Sequence, residues 1–90
     1  MSLSEKVLDA IVGSYKIAPP YSALFAMVKL VKEIELTWPE ANTDLALPIF
    51  VKVFRGIFNC IPRTYWKSWR EVSDEVRAGN LPSLSIPLRW

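Results

Sequence analysis

The densest set of chemically capable side chains in this sequence runs from Pro62 to Arg70, where Arg63, Lys67 and Arg70 alternate with Tyr65, Trp66 and Trp69. Cations interleaved with aromatic rings suit a single-stranded nucleic acid. Rings stack on bases at about 1–3 kcal/mol each, and cations neutralise phosphates. On a continuous helix, Trp66, Arg70, Ser73 and Arg77 fall at i, i+4, i+7 and i+11 and form one stripe. Tyr65, Trp69, Val72 and Val76 form the neighbouring apolar stripe, the expected core face. The segment has two other readings. In one, Trp66 packs at the core margin beneath Arg70 through a cation–π contact. In the other, this surface meets a protein. No RNP1-type consensus accompanies it.

The charge pattern reaches beyond that segment. No Asp or Glu occurs between Asp44 and Glu71, whereas Lys52, Arg55, Arg63, Lys67 and Arg70 all do. Residues 1–45 carry four Lys against six acids, a net −2, while residues 46–90 carry seven Lys or Arg against three acids, a net +4. Such an asymmetry speaks to partners rather than to fold. Phosphates, an acidic protein face or an anionic membrane would each complement it. Lys52, Arg55, Arg63, Trp66, Lys67, Arg70 and Arg77 are therefore the expected nucleic-acid contacts.

Catalytic and metal chemistry find little to use. The chain has no histidine and one cysteine, Cys60. The usual general base is thus missing, and so are the common zinc-ligand sets. An intrachain disulfide is excluded. There is no Gly-rich phosphate loop. Cys60, beside Ile61 and Pro62, reads as a buried inert thiol. The clustered carboxylates, Glu33 with Glu35 and Glu71 with Asp74 and Glu75, read as solvated helix faces. The expectation is a non-enzyme with no cofactor and no metal.

The elements that must position these residues are delimited by proline. At 90 residues the chain is one small domain, with 51% apolar and 22% charged residues, which excludes an ordinary disordered chain. Breaks are expected at Pro19 and Pro20, Pro39, Pro62, Pro82 and Pro87.

The first helix is expected from Ser2 to about Ile17, with Leu3, Val7, Leu8, Ile11 and Tyr15 on one face and Ser2 and Glu5 at capping-box spacing. Gly13 marks either a close-packed neighbour or a tolerated glycine. The second runs from Pro20 to Thr37. Its first half, Tyr21 to Val28, is apolar nearly all round, a pattern that normally needs burial on most sides. The third runs from an Asp44 N-cap to Ile61, with Pro48 in its first turn. Lys52, Arg55, Gly56 and Asn59 form a polar stripe opposite Phe50, Phe54, Ile57 and Ile61. The fourth runs from a Thr64 N-cap to Ala78, with Gly79 and Asn80 as its C-cap.

The expected fold is all-α: a three- or four-helix bundle over residues 1–80, followed by an extended Pro-containing arm over 81–90. The apolar supply exceeds what short helices hide, which points to a non-catalytic subunit of a larger homo- or hetero-oligomeric assembly, and the basic half would suit a nucleic-acid-containing one of ribonucleoprotein, viral or chromatin-like type. Tyr21, Leu24, Phe25, Leu84, Ile86, Leu88 and Trp90 are the expected protein contacts, and the basic half the expected phosphate contact. The competing reading is a membrane-surface or membrane-disrupting protein presenting Phe50, Phe54 and Ile57 to lipid, with Trp66 and Trp90 at the interface. No signal peptide or spanning segment is evident, so a cytoplasmic or intracellular place, including a virion, is the expectation.

Overall fold

The computed structural model describes residues 3–38 and 43–78. They form four α-helices: α1 (Leu3–Ser14), α2 (Tyr21–Thr37), α3 (Thr43–Asn59) and α4 (Trp69–Arg77), with a 3-10 turn at Arg63–Tyr65. No strand occurs among the described residues; a single antiparallel bridge pairs Ala18 with Lys67. The expected all-α bundle is what the chain forms. The arm with Leu84, Ile86, Leu88 and Trp90, the Gly79–Asn80 cap and the Ser2 capping box lie outside the described residues.

Helix α1 packs against both α2 and α3. Its buried face is the expected one, with Leu3, Val7, Leu8 and Ile11 inside. Gly13 has open space where a Cβ would sit, so it is a tolerated glycine and not a packing device.

The ends of the helices report their order. The Ser4 N–H donates to Glu35 Oε1 at 2.6 Å, so the start of α1 lies beside the end of α2. That carboxylate satisfies an amide that α1 itself leaves without a partner and complements the positive end of the helix. Glu35 is thus a cap supplied across helices, not the solvated side chain expected. At the other end, the Tyr15 hydroxyl donates to Asn59 Oδ1 at 3.0 Å and contacts the Arg55 carbonyl at 3.3 Å. The C-terminal ends of α1 and α3 therefore meet, and α1, α2 and α3 run up, down and up.

The apolar first half of α2 finds its cover within the chain. Tyr21, Leu24, Met27, Val28 and Val31 belong to one buried cluster with the inner face of α1 and with Phe54, Phe58, Trp66, Trp69 and Val72. Tyr21 and Leu24, expected as partner contacts, are core residues, and Phe25 is half-buried. The α1 face and the aromatic segment after α3 together cover what periodicity on α2 alone leaves open.

Helix α3 begins at Thr43, so Asp44, expected as its N-cap, lies inside the first turn and Pro48 falls in the second. Its core face is also rotated. Phe54 and Phe58 are buried, Phe50 and Ile61 are half-buried, and Ile57 is half-exposed. The Tyr15 contacts draw the Arg55 and Asn59 side of α3 toward the end of α1, which turns Phe58 inward and Ile57 outward.

Candidate functional site

After α3 the chain does not enter a fourth long helix at Thr64. The 3-10 turn closes through Tyr65 N–H to Pro62 O at 3.0 Å and Trp66 N–H to Arg63 O at 3.0 Å. Trp66 is then extended, with φ −82° and ψ 150°. Lys67 pairs with Ala18 in both directions, at 2.6 and 3.0 Å. Helix α4 begins only at Trp69, with Ser68 Oγ accepting the Glu71 N–H at 3.1 Å, a serine N-cap. Breaking the helical register here exchanges the roles of two aromatic residues. Tyr65, expected inside, is 65% exposed, and Trp66, for which both a surface stacking ring and a packed residue at the core margin were open, is 7% exposed and packs inside. Trp69 and Val72 are buried as expected.

Trp66 is fully engaged inside the chain. Its indole N–H donates to Ile61 O at 3.1 Å. Its ring meets Tyr15 edge-on, with centroids 4.9 Å apart and planes at 76°. The Arg63 guanidinium lies 3.8 Å from the ring centroid and donates to Asn59 Oδ1 at 3.2 Å. The cation–π contact expected for Trp66 exists, but Arg63 makes it rather than Arg70. Trp69 donates to Tyr15 O at 2.9 Å, so both tryptophans grip the end of α1 or its neighbours.

The seven cationic and aromatic candidates therefore divide. Lys67 Nζ pairs with Glu75 Oε1 at 2.6 Å, and Arg77 lies 3.6 Å from Asp74. The Lys67 ammonium is held above its ordinary pKa, first by the hydrogen bond to Glu75 and then by its charge. Arg70 is exposed on a helix that also carries Glu71, Asp74 and Glu75. The cations of α4 thus sit among carboxylates. Lys52 and Arg55 differ. Both are exposed on α3, and among the described residues neither has an ion-pair partner. They line a shallow groove of about 460 Å³ with Leu47, Pro48, Val51, Gly56 and Asn59.

The outward side of α3 also carries the feature that the sequence reading missed. Leu45, Ile49, Val53 and Ile57 are 67%, 63%, 51% and 51% exposed. At i, i+4, i+8 and i+12 they form one continuous ridge over more than three turns. Gly56, which lines the groove, has open space above it. The signal was present: α3 is apolar on two sides, and the spacing separates an inner Phe ladder from an outer aliphatic ridge. The exposed apolar residues of α2, Leu30 and Leu36, instead stand among Lys29, Lys32 and Glu33, where isolated apolar side chains are ordinary.

Cys60 is exposed, not buried as expected. Among the described residues no group of three His, Cys, Asp or Glu is placed to hold a metal ion, and no helix is long and apolar enough to cross a membrane. No family model, curated protein or solved structure matches this chain.

Proposed function

We propose that this protein is a non-catalytic helical subunit that docks onto another protein through the outward side of α3. The observation that carries this reading is the Leu45–Ile49–Val53–Ile57 ridge, four aliphatic side chains at least half-exposed on one helix. Burying such a ridge is favourable by roughly 25 cal/mol per Å² of apolar surface, and its i, i+4 spacing suits helix-on-helix packing. Of the docking residues expected from sequence, Tyr21 and Leu24 are consumed by the core, which leaves the outward side of α3 as the apolar surface available among the described residues.

Phosphate binding by a basic half is a weaker reading. Trp66 has no free face for a base, and the cations of α4 sit among acids. A lipid-facing Phe50–Phe54–Ile57 surface is weaker still, since Phe54 is buried and Phe50 half-buried.

The test is size-exclusion chromatography of gently purified, tagged full chain beside Ile49→Asp/Val53→Asp. A Leu30→Asp control places a charge on an exposed apolar residue of α2. The wild type and the control are expected to elute in a complex larger than the monomer, and the double variant as a folded monomer by circular dichroism. A wild type that elutes as a monomer, or a complex that survives the double substitution, overturns the reading.

A further inference from the structure

Resting on that docking surface, we infer that its occupant is an amphipathic helix whose apolar stripe is bordered by carboxylates. Three features of α3 select it. The ridge of Leu45, Ile49, Val53 and Ile57 supplies a linear apolar contact. Along one flank only run Lys52 and Arg55, exposed and unpaired among the described residues. After Asp44, α3 carries no acid of its own to neutralise them. Carboxylates arriving there gain charge complementarity and fix which way the incoming helix lies.

A second copy of this chain complements the surface poorly. In a two-fold antiparallel pairing of α3 with α3, the basic flanks fall on the same side, so four cations meet two acids, the Asp44 pair. In a two-fold parallel pairing, each basic flank faces the uncharged edge bearing Ala46 and Ile57. Nucleic acid offers the flank its phosphates but gives the ridge no apolar stripe to cover it.

The experiment uses two synthetic helical peptides with the same leucine stripe, one bordered by Glu and one by Lys. Each is titrated with the full chain by fluorescence anisotropy at low and at high salt. The Glu-bordered peptide is expected to bind at least tenfold more tightly at low salt, with the advantage shrinking as salt rises. Lys52→Glu/Arg55→Glu is expected to reverse the preference, and Val53→Asp to weaken both peptides. Equal affinity for the two peptides, lost in Val53→Asp, overturns the acidic partner while leaving the docking surface standing. If neither peptide binds, and a single-stranded oligonucleotide or phosphatidylserine vesicles bind through Lys52 and Arg55, the protein partner falls as well.

Discussion

Trp69 is where three parts of the chain are tied together. Its ring is buried with Val72, its N–H holds the Tyr15 carbonyl, and its backbone starts α4. Replacing it with alanine removes apolar contacts and orphans a backbone acceptor at once. Trp69→Ala is expected to destabilise the chain by about 3–5 kcal/mol. Tyr65, four residues earlier, is exposed in the 3-10 turn, so Tyr65→Ala is expected to change stability by no more than about 0.5 kcal/mol. Urea denaturation of the two variants checks the contrast. Similar losses would mean that Tyr65 belongs to the core and that the helix runs through the turn. Helical periodicity alone assigns these two aromatics to the same face. The register break between them comes from Lys67 pairing with Ala18, a partner 49 positions away in the chain.

At the scale of elements, α3 has two apolar faces with different duties. Phe54 and Phe58 stack at 6.2 Å between centroids and face the core, while Val53 and Ile57 face outward. Phe58→Ala is expected to cost about 3–5 kcal/mol, and Ile57→Ala about 0.5 kcal/mol or less in the isolated chain. Thermal denaturation of both variants measures the difference. Comparable losses would show that α3 is rotated relative to the orientation described. The helix itself was legible because its polar residues recur at spacings of three and four. Which of its two apolar arcs turns inward was not legible. The hydroxyl of Tyr15, the residue just after α1, settles it by binding the carbonyl of Arg55 and the side chain of Asn59. The same reasoning explains why α2 misled. An element apolar all round is a statement about how many neighbours it has, and here the neighbours are α1 and the Trp66–Val72 segment.

For the whole molecule, two groups make stability fall at alkaline pH. Burial, and secondarily the charge of Glu75, raise the Tyr21 phenol above its ordinary value. The folded chain therefore keeps that proton when the unfolded chain loses it. Stability is unaffected well below pH 10 and declines as pH rises from the ordinary phenol value of about 10 through the folded one. The Lys67 ammonium, raised chiefly by its hydrogen bond to Glu75, acts with the same sign. Its contribution is complete below its unfolded pKa and disappears as pH rises through its folded pKa. Tyr21→Phe removes the first effect and leaves the second. The loss of stability between pH 8 and pH 11, measured by urea denaturation at each pH, is expected to be smaller in Tyr21→Phe than in the wild type. An equal loss would mean that Tyr21 ionises as freely in the folded chain as in the unfolded one.

The sequence by itself determined that the fold is all-α, that α2 follows Pro20 and runs to Thr37 and that Leu3, Val7, Leu8 and Ile11 form the inner face of α1, because these follow from local spacing and from proline's missing N–H. It also determined that Lys52 and Arg55 share a polar stripe on α3. Only the tertiary structure decided which surfaces remain open. Burial is a property of pairs of elements, and the pairs that matter here join Tyr15 to Asn59, Glu35 to Ser4 and Ala18 to Lys67, each more than thirty positions apart in the chain. Those contacts take Tyr21, Leu24 and Trp66 into the core and leave Leu45, Ile49, Val53 and Ile57 facing outward.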